Sequence, residues 1–188
     1  MPSKKSTGAG KSGVKVVVSG KDGRGRATVP LVELAPVRFH IGRILVPIDF
    51  SEPSRKALHY AKVFAQQFDA SVTLMHAVEP LSYPPDFAVV PLLPPDIEEA
   101  RSRELAVQLK ELADAVGGGV KTEAVVRSGR AWQEIVEYAK SGDFDLIVVS
   151  THGYTGLKHA LLGSVAEKIV RHAPCPVLVV RDEEHDFA

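Results

Sequence analysis

The sequence predicts an α/β protein: a three-layer α/β/α sandwich around a five-stranded parallel sheet. Three observations carry that prediction. From Ile41 onward, short β-prone runs alternate with longer segments whose apolar residues recur at helical spacing. The run Leu146-Ile147-Val148-Val149-Ser150 shows no in-out alternation, as suits a strand covered on both faces. A repeated strand–helix–strand order also imposes right-handed crossovers, which place helices on both sides of a parallel sheet.

Taken in order, the first strand is the run from Ile44, ending at Pro47, Ile48 and Asp49. Ser51 is a natural N-cap, with Pro53 in the first helical turn. The helix that follows sets Ala57, Leu58, Ala61, Phe64, Ala65 and Phe68 on one face. Val72 to Val78 is the second strand. A proline-rich stretch from Pro80 to Pro95 reads as a long loop, after which Asp96 caps a helix bearing Leu105, Leu109, Leu112 and Val116. Gly117-Gly118-Gly119 ends that helix, and Val120 to Val126 reads as the third strand. Trp132, Ile135, Val136 and Ala139 form the buried face of a third helix. Leu146 to Ser150 is the fourth strand, Gly163 to His172 the last helix, and Val177 to Val180 the fifth strand.

Ahead of this pattern lies a different kind of chain. Residues 1–38 form a basic arm with eight Lys/Arg against two Asp/Glu, whereas the remainder carries fifteen against twenty-one. The formal net charge of zero is therefore a cancellation. The first residues have almost nothing to bury and read as disordered. Val14 to Val18 and Thr28 to Leu34, separated by Lys21-Asp22-Gly23-Arg24-Gly25, are alternatively a small add-on hairpin. A basic tail on an acidic body folds back on it, stays solvated, or meets an anionic partner weakly, nucleic acid or membrane included. Residues 39–182 make the folded domain and 183–188 a short tail.

In 188 residues, no apolar run approaches the ~20 needed for a membrane-spanning helix. The N-terminal basic residues lack the apolar core of a secretory signal. One cysteine excludes an internal disulfide and a multi-cysteine metal site. A cytoplasmic protein is the expectation.

In parallel α/β sheets, ligands bind beyond the carboxyl ends of the strands. The informative positions are therefore Asp49, Ala77, Arg127-Ser128-Gly129 and everything after Val149. The segment Ser150-Thr151-His152-Gly153-Tyr154-Thr155-Gly156, continuing to Gly163-Ser164, joins a buried strand to a helix. Gly153 and Gly156 permit a close backbone approach that a Cβ would block. Gly163-Ser164 stands at a helix start, where free N–H groups and the helix dipole attract an anion. The same residues also suit an ordinary tight β–α connection with a serine cap.

These residues resemble those of the universal stress proteins, which carry Gly-x2-Gly-x9-Gly-Ser/Thr between the fourth strand and the last helix. Here Gly153 matches the second motif glycine, Tyr154 to Leu162 the nine-residue spacer, and Gly163-Ser164 the final pair. Ile44 to Ser51, Leu74 to Val78 and His172 to Val180 are similar to the family's first strand, second strand and close, so the resemblance spans residues 41 to 182. It implies strand order 3-2-1-4-5 and a homodimer through Val177 to Val180 pairing antiparallel. It also implies an adenine-nucleotide site for ATP or AMP, with magnesium where ATP is bound. In such a site Pro47, Ile48 and Asp49 lie by the ribose and adenine, and Ala77 meets the adenine edge. Gly153, Tyr154, Gly163, Ser164, Val165 and Ala166 then wrap the phosphates, and Ser150 and His152 also belong to the nucleotide site, His152 being alternatively a solvated histidine. Asp49 is alternatively a helix-cap residue ahead of Pro53.

Two positions depart from the family pattern. Ser150 stands at the first motif glycine, and Tyr154 at a position often basic, which Lys158 or His159 can offset. The implied function is a nucleotide-binding regulatory or signalling dimer of the stress response. The alternatives are a nucleotide-free dimeric interaction module or a slow ATPase, with no evident general base. Gly8-Ala9-Gly10-Lys11-Ser12 mimics the end of a P-loop, but Lys5 stands where its first glycine belongs. The histidines show no ligand spacing, and Cys175 between Pro174 and Pro176 reads as packing rather than as a nucleophile.

Overall fold

The computed structural model describes residues 40–79, 95–151 and 162–181. The strands are β1 (Arg43–Pro47), β2 (Ser71–Val78), β3 (Thr122–Ser128), β4 (Leu146–Ser150) and β5 (Val177–Val180). The helices are α1 (Glu52–Phe68), α2 (Pro95–Val116), α3 (Ala131–Ser141) and α4 (Ser164–His172). All strand pairings are parallel, and the sheet order is β3-β2-β1-β4-β5, the order the resemblance implies. The basic arm, its hairpin alternative, the P-loop mimic, the proline-rich stretch through Pro94 and the tail lie outside the described residues.

The two-residue period of the strands sorts the core into two layers. Ile44, Val46, Val72, Leu74 and Val148 point to the side covered by Ala57, Ala61 and Ala65 of α1 and Leu109, Ala113 and Val116 of α2. Leu45, Met75, Ile147 and Val149 point to the other side, under Ile135 and Ala139 of α3 and Ala166 and Ile169 of α4. Every residue of β4 is buried, which explains why its sequence does not alternate. Each fully buried Ile, Leu or Val contributes about 1.5–3 kcal/mol relative to an exposed one. Among the described residues, no helix is long and apolar enough to cross a membrane.

The local signals for α1 held. Ser51 is its N-cap and accepts a hydrogen bond from the Ser54 N–H at 3.3 Å, with Pro53 in the first turn. Its inward face includes Tyr60, which the periodicity reading omitted, while Phe64 and Phe68 are only partly buried and stack at 6.2 Å.

Three boundaries differ from expectation. α2 begins at Pro95, a residue favoured at the first helical position, so Asp96 lies in the first turn rather than at the cap. β3 begins at Thr122, not Val120. Gly117, Gly118 and Gly119 all have positive φ, and the turn takes the Val120 N–H for the Gly117 carbonyl at 3.4 Å. At α4 the cap residue is Gly163, and Ser164 is the first helical residue instead of a capping serine.

Candidate functional site

β1, β2 and β4 end on the same side of the sheet, and there a cleft of about 170 Å³ opens. Its position follows from topology. The connections leaving the neighbouring strands β1 and β4 lie on opposite faces of the sheet, α1 on one side and α4 on the other, so the chain parts above the central strands.

Pro47, Ile48 and Asp49 form one wall. The Ile48 N–H makes the last ladder bond, to the Met75 carbonyl at 2.8 Å, and the chain then turns through Phe50 at φ 65°. Asp49 Oδ1 accepts the Ser51 N–H at 3.0 Å and also the Ser51 hydroxyl. Asp49 thus supports Ser51, the cap residue of α1, rather than capping the helix itself, and it also lines the cleft. Ser54, with its hydroxyl donating to the Ser51 carbonyl at 2.9 Å, lines the cleft from the first turn of α1.

Met75, His76 and Ala77 supply the wall from β2. His76 Nδ1 lies 2.7 Å from the Ile48 carbonyl, and its ring is 5.0 Å from that of Phe50. Ala131 and Ile135 of α3 come in above them, and Val149 and Ser150 of β4 line the floor with Thr151. Ser150 and Thr151 are buried.

The remaining wall is the start of α4: Gly163, Ser164, Val165 and Ala166. Here the helix termini at this end of the sheet differ. α1 has the Ser51 side chain as a cap. At α3 the Glu79 carboxylate accepts the Ala131 N–H at 3.0 Å, so that terminus already holds an anion. At α4 the cap residue is a glycine with no side chain to offer, and the Glu167 N–H makes the first bond back, to the Gly163 carbonyl at 2.9 Å. The N–H groups of Ser164, Val165 and Ala166 precede that bond and have no acceptor within the helix. They carry the positive end of the helix dipole toward the cleft.

The sequence-predicted residues Pro47, Ile48, Asp49, Ala77, Ser150, Gly163, Ser164, Val165 and Ala166 are thus brought together on one cleft. His152, Gly153 and Tyr154, with Lys158 and His159, lie outside the described residues. Arg127, Ser128 and Gly129, flagged as a strand end, are not among the lining residues. Arg127 pairs with Glu134 at 2.9 Å, and Gly129 turns the chain into α3. Thr151, which opens the loop flagged after β4, also lines the cleft, whereas sequence reasoning missed Ser54, Met75, His76, Ala131, Ile135 and Val149. Ser54 was within reach as the third residue after a capping serine. Ala131 and Ile135 approach from a helix that no spacing rule connects to β1.

Chemically, the cleft offers backbone donors for an anion at α4, a carboxylate acceptor at Asp49, and apolar surface from Ile48, Met75, Ile135 and Val149 between them. That donor set fits a ligand with a flat apolar part, hydroxyls and a phosphate. No cluster of three or more metal-ligating side chains occurs among the described residues. Cys175 is partly buried and packs with the α3–α4 layer, and burial, assisted by the Asp145 charge, raises its thiol pKa.

Comparison with known proteins gives a consistent result. The family model described as "Universal stress protein family" matches residues 40–181. A universal stress protein of Methanocaldococcus jannaschii, MJ0531, is 37% identical over 141 residues, covering 74% of this chain and 81% of that protein. The solved structure of MJ0577, from the same organism, superposes with a TM-score of 0.67 at 28% identity, covering 78% of this chain and 100% of that one. A universal stress protein solved in complex with cAMP shares the fold, with a TM-score of 0.55 at 24% identity, covering 76% of this chain and 98% of that one.

Proposed function

The chain belongs to the universal stress protein family, and from that premise we propose that its cleft binds an adenine nucleotide, ATP or AMP, to regulate a signalling homodimer of the stress response. The observation that carries the proposal is the open N-terminus of α4, which shares one cleft with the Asp49 carboxylate. The N–H groups of Ser164 to Ala166 take phosphate oxygens, and Asp49 accepts ribose hydroxyls. Ala77 and Ile48 border the adenine, a flat group suited to the apolar floor. Magnesium accompanying ATP is held chiefly by the phosphates, with Asp49 the carboxylate among the described lining residues. The dimer forms through β5, an edge strand in this sheet, and the protein works in the cytoplasm.

A second reading, a nucleotide-free dimeric interaction module, is favoured by one observation. Ser150 occupies the position of the first motif glycine and brings a side chain to the cleft floor. Calorimetric titration with AMP, and with ATP plus magnesium, separates the two. Saturable heat supports the nucleotide reading, and none at millimolar nucleotide overturns it in favour of the interaction module. Phosphate release above a protein-free blank would add slow hydrolysis to the function.

A further inference from the structure

His76 belongs to no predicted set of site residues, and the geometry around it is specific. The backbone leaves the sheet after the Ile48 N–H bonds Met75, so the Ile48 carbonyl has passed beyond the β1–β2 ladder. His76 Nδ1 meets that carbonyl at 2.7 Å. A carbonyl oxygen only accepts, so Nδ1 carries the proton and the imidazole donates. Two residues on, Phe50 adopts φ 65°, a left-handed conformation unfavourable for a side chain of its size. Its ring lies 5.0 Å from the His76 ring and also packs against the α1-side core. Asp49 is the residue between these two attachments, and it lines the cleft.

We propose that His76 is a positioning residue. It holds Ile48 by a hydrogen bond and Phe50 by ring contact, and so fixes the turn that aims the Asp49 carboxylate at ligand hydroxyls. This rests on the nucleotide reading for the identity of the ligand but not for the clamp itself. The strained turn supports the assignment, because a left-handed phenylalanine persists only where its surroundings over-determine it. Ser51 reports the same geometry through its N–H bond to Asp49 Oδ1 at 3.0 Å.

The test uses two substitutions that divide the clamp. His76→Phe keeps a ring and removes the donor. His76→Asn keeps a donor near the Nδ1 position and removes the ring. Thermal unfolding confirms that each variant folds. The ligand-independent readout is amide hydrogen exchange at Ile48 and Ser51, the hydrogen-bonded amides that flank the turn, expected to accelerate in His76→Phe and to be partly restored in His76→Asn. Unchanged exchange in both variants overturns the proposal, whether or not nucleotide binds. The second readout is AMP affinity in a double-mutant cycle with Asp49→Ala. His76→Phe should weaken binding roughly tenfold beside Asp49 and by less than about twofold once Asp49 is gone. Equal losses in both backgrounds would mean that His76 acts on the ligand or on stability by another route, and would overturn the assignment. A wild-type chain that binds no AMP removes the nucleotide reading, and hydrogen exchange then decides the clamp alone.

Discussion

Gly163 donates its backbone N–H to the Thr151 carbonyl at 2.7 Å, so the chain leaving β4 is tied back at the threshold of α4. The same glycine is the cap residue of α4 and leaves the first N–H groups of that helix open to the cleft. Gly163→Val puts a branched side chain at that threshold. Its φ of −66° is open to any residue, so the fold should survive, with a poorer cap costing about 1 kcal/mol. AMP binding should fall by more than about tenfold, because the phosphate's space and donors are obstructed. Calorimetry run beside thermal unfolding checks both. Wild-type affinity in the variant would remove α4 from the site.

Asp49 has two tasks, and Asn separates them. Asp49→Asn keeps an oxygen that can accept the Ser51 N–H, so the turn before α1 should hold and stability should change by less than about 1 kcal/mol. The negative charge that strengthens bonds to ribose hydroxyls is lost, and affinity for AMP should drop about tenfold. Binding of adenine alone, which has no ribose, should be nearly unchanged. Equal loss for both ligands would show that Asp49 does not read the ribose.

Gly129 follows β3 with φ +149°, and a Cβ added there would lie 2.5 Å from Glu134 Oε1. Glu134 is already committed to Arg127 at 2.9 Å. Gly129→Ala combines backbone strain with displacement of that side chain and should destabilise the protein by about 1–3 kcal/mol. Urea unfolding should show a lower midpoint with an unchanged slope. A glycine-like stability would mean that the turn relaxes freely.

The elements were legible where a period marks them. α1 could be read from Ser51 to Phe68, and β4 from its unbroken apolar run, because one buried face or two leave a direct trace in the order of residues. The start of β3 was not legible. Val120 is β-prone, but its N–H belongs to the triple-glycine turn, a fact of hydrogen bonding that composition does not record. The cleft divides in the same way. Asp49, Ala77, Ser150 and Gly163 stand at strand ends or a helix start, so their place follows from topology. His76 directly precedes Ala77 on β2, yet its part depends on a carbonyl 28 residues away in sequence. Only the folded register brings Ile48 and His76 together.

Cys175 should be a slow thiol. Burial and then the Asp145 charge raise its pKa, so at neutral pH its thiolate fraction lies below that of an exposed cysteine. As pH rises, its reaction with a small disulfide reagent should accelerate later than that of a free thiol standard. Guanidinium unfolding should bring the two curves together. A native thiol as fast as the standard at pH 7 would contradict the burial argument.

The proposed dimer can be tested at the backbone of β5. The Ile147 N–H donates to the Pro176 carbonyl at 3.0 Å and the Thr151 N–H to the Val180 carbonyl at 2.9 Å. In a parallel pair these roles alternate, so Leu178 also faces β4, and the backbone groups of Val177 and Val179 face the open edge. Val179→Pro therefore removes an outward N–H without breaking the β4–β5 ladder, and proline suits an edge strand. Light scattering should give about twice the 20.3 kDa chain mass for the wild type and the single-chain mass for the variant. Thermal unfolding distinguishes a lost interface from a lost fold, since the valine side chain also packs against the α3–α4 layer. A folded variant that remains dimeric would place the interface elsewhere than on β5.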